Sequence, residues 1–187
     1  MTGVQTCALP IFCPHLGLVN TILGQYFQAR CLLLALDAGE PNRVQRALAM
    51  EAAYSSSEGG KTQHRTAELV TMAHSMAQKL DQPYAVAFAT LSEGAAATLE
   101  GRWKTAHEAC ERAEATFRDR CTGVTWEMET LRWLSLWSLC YLGGLAELGR
   151  RIPTRLREAR ERGDLYATIC HSKIGRASCR ERVCMLV

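Results

Sequence analysis

The chain is short of proline, of paired cysteines, of long apolar runs and of net charge, and each shortage removes a class of protein. Five prolines in 187 residues, with no run of alternating β-branched residues, point away from sheets and towards an all-α fold. Nine cysteines are present, yet no C-x-x-C pair occurs. Cys31, Cys110, Cys121, Cys140 and Cys170 are scattered, most of them inside helical patterns, which reads as reduced thiols of a cytoplasmic protein rather than a disulfide framework. The longest charge-free apolar stretch in a helical pattern, Trp133 to Ala146, has 14 residues, short of the ~20 a membrane helix needs. Residues 12–172 carry 18 basic and 18 acidic residues; Lys173, Arg176, Arg180 and Arg182, less Glu181, supply the whole charge of +3. No basic patch for nucleic acid follows from that balance.

What is present is helical period. Between Pro83 and Cys121 the sequence reads as two helices joined by a Gly-Arg-Trp turn. Ala106, Ala109, Cys110, Ala113 and Phe117 make one apolar stripe. Glu108 with Arg112 and Glu114 with Arg118 are spaced as ion pairs on the opposite face, worth ~0.2–0.5 kcal/mol each. Pro83 suits a helix start and Gly101 a helix end. The neighbouring segments read as looser copies of this hairpin.

Gly94, Gly101, Trp103, Ala106 and Ala113 resemble the spacing of the tetratricopeptide repeat over one unit, departing from it at Thr90 and Ala97. The resemblance implies stacked antiparallel helical hairpins, about eight helices forming a fragment of an α-solenoid. It also implies a groove lined by the first helix of each hairpin. If Gly143 is the pre-turn glycine of the next unit, Trp133 and Trp137 face that groove, with Phe88 and Leu91 at the equivalent places. Trp126, Trp133, Trp137 and Tyr141 share one side of a helix. That stripe reads either as core or as the groove of an apolar or helical protein partner, the second giving Phe88, Leu91, Trp133, Trp137 and Tyr141 as partner-binding residues. Arg120–Glu127, Tyr141–Leu148 and Glu161–Ala167 further resemble the C-terminal helical region of bacterial multidomain proteins that join a serine/threonine kinase to an ATPase. The implied role is a non-catalytic regulatory module; a free-standing adaptor and the arm of a helical-repeat transcription activator are the alternatives.

The two ends stand apart. Residues 1–11, MTGVQTCALPI, resemble a translated sequencing adapter, and KIGRASCRERV from Lys173 resembles the translation of its partner. Residues 12–172 are therefore read as the repeat domain, with 1–11 and 173–187 as non-native ends that pack poorly. The uncapped stack is then expected to expose Leu23, Phe27 and Leu34 at one end and Leu165 and Ile169 at the other, and to self-associate.

In chain order, helices are expected from Thr21 to Gly39, with Tyr26, Phe27, Cys31, Leu34 and Ala35 on one side, and from Pro41 to Ser55. A mobile loop is expected at Ser55–Lys61. Helices follow over Thr66–Leu80, with Leu69, Met72, Ala73, Met76 and Leu80 inward, and over the hairpin. Thr125 is expected to cap the helix Trp126–Leu142, with Glu127 and Glu129 in its first turn. Leu145–Arg162 contains Pro153, which either kinks the helix or marks its start. A last segment begins at Gly163-Asp164.

No catalytic pattern emerges. Ser55–Thr62 imitates a phosphate loop but lacks the first glycine and the preceding strand. Cys13, His15, Cys170 and His171 lack the short spacing of zinc ligands, so neither metal nor cofactor is expected. His64, His74 and His107 have no nucleophile at a telling spacing. Glu108, Glu111 and Glu114, and the arginines between Arg150 and Arg162, read as solvated charged faces.

Overall fold

The computed structural model describes residues 16–17 and 20–184, with side chains as far as Ile174. The described residues are all-α, without strands. The helices are α1 (Thr21–Ala38), α2 (Pro41–Ser55), a 3-10 helix (Ser56–Thr62), α3 (Gln63–Leu80), α4 (Pro83–Leu99), α5 (Trp103–Arg120), α6 (Thr125–Tyr141), α7 (Leu145–Glu161) and α8 (Leu165–Cys184).

The helices begin and end where local chemistry dictates. Asn20 caps α1 by accepting from the Leu23 amide at 3.1 Å, and Asp164 does the same for Ala167 in α8 at 2.9 Å. Pro41 and Pro83 occupy first turns, where a missing N–H costs nothing. After α4, Gly101 lies at φ 75 and donates to Thr98, while Arg102 donates back to Ala97. After α6, Gly143 at φ 75 donates to Cys140 and Gly144 to Leu139. These are the paired bonds that close a helix through a left-handed residue, a conformation open to glycine at no steric cost.

The turns reveal a repeat. Gly59, Gly101 and Gly143 all have positive φ and stand 42 residues apart; Gly39, Asp81 and Gly123 form a second such series with the same spacing. Pro41, Pro83 and Thr125, the first residues of α2, α4 and α6, follow it too. The unit is longer than the about 34 residues of the tetratricopeptide repeat. Burial follows the period: Ala85, Ala87, Ala89, Gly94, Ala96 and Ala97 in α4 correspond to buried Glu127, Glu129, Leu131, Leu136, Ser138 and Leu139 in α6.

Contacts alternate. Each helix packs on its chain neighbours, and α2, α4, α6 and α8 also touch one another in succession, whereas no two of α1, α3, α5 and α7 share a comparable interface. Short turns make consecutive helices antiparallel. One apolar core lies among α1 to α6, rich in alanine around Phe88 and Phe117; a smaller one joins Leu136, Leu139, Cys140, Leu148, Ile152 and Ile174, and Trp133 packs against both. Buried amides stitch the row together: Gln28 donates to the Ala47 carbonyl and Gln45 to that of Ala85.

Several expectations are corrected. The Gly-rich break is a 3-10 helix, in which the Thr62 hydroxyl donates to the Ser55 carbonyl at 2.6 Å. Thr125 is the first residue of α6 and makes no cap hydrogen bond. Glu127 instead accepts from the Tyr84 hydroxyl. Pro153 lies within α7 and does not begin it. Tyr26 and Met72 face solvent. The boundary expected at Lys173 coincides with no helix end, since α8 continues to Cys184 and Ile174 is buried. Residues 1–11 lie outside the described residues.

Candidate functional site

The five residues expected to face a partner do not form one surface. Phe88 and Leu91 are enclosed, so the groove expected of them is corrected to core. Phe88 stacks on Tyr84 with centroids 5.7 Å apart, and the Arg46 guanidinium lies 5.0 Å from its ring. Tyr84 packs edge-on against Phe117. Trp133 and Trp137 are half-buried, and Tyr141 is 58% exposed. Tyr141 sits between Trp103, stacked at 4.1 Å, and Trp137, at 5.9 Å. The aromatic stripe is thus core at Trp133 and a solvent-facing edge at Tyr141.

Among the described residues, a cleft of about 660 Å³ lies between α3 and the C-terminal part of α4. Thr66, Thr71, His74 and Ser75 line it from α3; Glu93, Glu100 and Arg102 line it opposite. A His74 ring nitrogen lies 3.1 Å from one Glu93 oxygen, and Arg112 Nη2 reaches the other at 3.4 Å. The His74 bond, outweighing burial, holds the Glu93 carboxyl below its ordinary range. Glu100 is more enclosed, its side chain 6% exposed. Arg102 grips its Oε2, whereas Oε1 is shut away from solvent with no hydrogen-bond partner. A buried carboxylate oxygen in that state costs free energy.

Beyond the cleft, the acidic and arginine-rich faces are joined: Glu108, Arg150, Arg157, Arg160 and Arg162 are exposed as expected, whereas Glu114 is buried and Glu111, Arg151 and Arg155 are half-buried. Glu114 accepts from Arg132 and Arg155; Glu129 accepts from Arg132 and Arg162 and meets His171 at 3.1 Å; Glu111 accepts from Arg151 and from Ser135. His107 approaches Ser135 at 3.0 Å. Burial alone would raise Glu111 and Glu129. Hydrogen bonds from Arg151 and Ser135 in the first case, and from His171 and Arg132 in the second, hold both lowered. Apart from Arg132 and Glu129, three residues apart on α6, its partners are 18 to 42 residues apart on different helices, which local periodicity does not reveal; the 42-residue glycine period places them on facing helices.

No protein family, curated protein or solved structure matches this chain.

The remaining sequence candidates separate. Cys13 and His15 lie outside the described residues; among those described, no three His, Cys, Asp or Glu side chains gather as a metal site. His64 pairs with Glu68 on the surface. Cys31, Cys110 and Cys140 are buried cysteines, and burial pushes the Cys110 thiol up to about 12. No described helix is long and apolar enough to cross a membrane.

Proposed function

We propose that the chain is a non-catalytic, protein-binding helical-repeat module that takes a peptide segment of its partner into the α3–α4 cleft. The observation that carries this is Glu100: an enclosed carboxylate oxygen without a donor, lining an open cleft walled by hydroxyls and a histidine. A lysine or arginine of a partner reaches this carboxylate by displacing the Arg102 side chain, which is 44% exposed. The repeating units add support, since stacked hairpins present extended surfaces rather than closed pockets. Glu93, tied to His74 and Arg112, serves as a fixed anion rather than a proton donor. The sequence resemblance supports placing the module in the cytoplasm, as the regulatory region of a larger bacterial serine/threonine kinase with an ATPase domain.

Selection from a displayed peptide library against the purified chain tests the reading. Enriched peptides should share a basic position, and Glu100→Gln should weaken them about tenfold or more, as expected when a charge-assisted bond is lost. Failure to enrich any sequence, or equal binding to Glu100→Gln, would overturn it.

A further inference from the structure

Helix α1 has two apolar faces. Gly24, Gln28, Cys31 and Ala35 are buried, facing into the fold. On the far side Ile22, Tyr26, Ala29, Leu33 and Leu36 are all exposed, Ile22 by 79% and Leu33 by 63%. Their alternating steps of four and three residues form the seam of a two-helix coiled coil.

The repeat shows that ordinary stacking does not cover this seam. Helix α3 stands one 42-residue period later, with neighbours on both sides, and its corresponding residues are His64, Glu68, Thr71, Ser75 and Gln78. All five are exposed and none is a large hydrophobe. A position that remains open inside the stack is therefore polar in α3 and apolar in α1. Of the residues expected to be bared by a missing neighbour, Leu23 is exposed, as are Leu165 and Ile169 at the other end, whereas Phe27 and Leu34 are half-buried.

We infer that this seam is a homodimer interface, in which α1 of one copy packs antiparallel on α1 of a second. Charge selects the occupant and the direction. Arg30 and Asp37 are exposed and lie on the same flank of the seam, seven residues apart. In a parallel pair like flanks do not meet. In an antiparallel two-fold pair they do, and Arg30 of each copy faces Asp37 of the other. The matching core register sets Tyr26 against Leu36 and Ala29 against Leu33, burying the whole stripe. The contact is isologous and closes at two copies.

Sedimentation velocity of the full chain under reducing conditions, from micromolar to millimolar concentration, reads the assembly. A reversible dimer is expected, and Leu33→Asp should make it monomeric with unchanged helical circular dichroism. Arg30→Asp or Asp37→Arg alone should weaken dimerisation about tenfold through like-charge contact, and the double swap should restore it. Leu165→Asp, at the other exposed end, should have no effect. A wild-type monomer throughout, a dimer indifferent to Leu33→Asp, a dimer broken by Leu165→Asp, or single swaps that the double swap fails to rescue would each overturn the assignment.

Discussion

The hairpins α4–α5 and α6–α7 share a turn, a length and a backbone period, yet they are held together by opposite means. The first is closed by small residues. Gly94 allows α5 so near that an added Cβ would lie 2.8 Å from Cys110 Sγ, and Ala106, Ala109 and Ala113 are fully buried. One period later Gly94 becomes Leu136, Ala95 becomes Trp137, and Ala109 and Ala113 become Arg151 and Arg155. The contact between α6 and α7 is correspondingly slight, whereas α4 and α5 share the largest interface of the molecule. Arg151 and Arg155 reach back to Glu111 and Glu114 on α5. Substituting large for small at four equivalent positions thus turns a closely packed helix pair into a splayed one, in which α7 is tied by ions chiefly to α5 and, through Arg162, to Glu129 of α6.

The largest effect should come from making the first hairpin resemble the second. Gly94→Leu installs the residue of the equivalent α6 position against Cys110 and should cost at or above the ~1–3 kcal/mol of ordinary overpacking; chemical denaturation checks it. A comparable loss is expected from Phe88→Ala, roughly 3–5 kcal/mol, as a fully buried ring is removed from the alanine-rich core. Breaking the ties between the two hairpins is next. Arg132 is 15% exposed and joins Glu114 to Glu129. Arg132→Met leaves both carboxylates a donor short and should lower stability by about 2–4 kcal/mol, less than a lone buried pair because Arg155, Arg162 and His171 remain.

The smallest effect sharpens the repeat itself. Asp81 has φ 50 at a position where the sister units carry Gly39 and Gly123. Asp81→Gly should relieve left-handed strain and leave stability unchanged or raised by up to about 1 kcal/mol in a thermal melt. A marked loss would mean that the aspartate side chain, rather than the backbone, is needed at this turn.

The same contrast explains what was legible in the sequence. The alanine stripe of α5 and the glycine before Trp103 announce a hairpin because small residues and helix-ending glycines act locally, within one or two turns of chain. Phe88 and Leu91 were misplaced for a related reason. An apolar residue on an inner helix looks the same whether it faces a groove or the next helix, and the distinction lies in whether α2 and α6 cover it. The ion network, Glu100 and the buried Gln28 and Gln45 depend on partners in other helices, and their polarity reads as surface. The seam of α1 was hidden differently: with apolar residues on both sides, periodicity alone does not say which stripe is inward.

Acid should separate the two units most clearly. Glu111 on α5 and Glu129 on α6, which hold α7 and α8 through Arg151, Arg162 and His171, both have lowered folded pKa values. Their stabilisation is complete above the ordinary carboxylate range and is lost as pH falls through the folded values. On α4, Glu93 is lowered too, through His74 of α3 and Arg112 of α5, but the small-residue contact between α4 and α5 does not depend on it. Native-state hydrogen exchange, corrected for intrinsic rates and compared between neutral pH and the acidic edge of the carboxylate range, is the direct measurement. Amides of α6 to α8 should lose protection well before those of α4 and α5. Equal loss in both hairpins, or earlier loss in α4 and α5, would contradict the claim that α4 and α5 are closed by packing while α7 is held by charge.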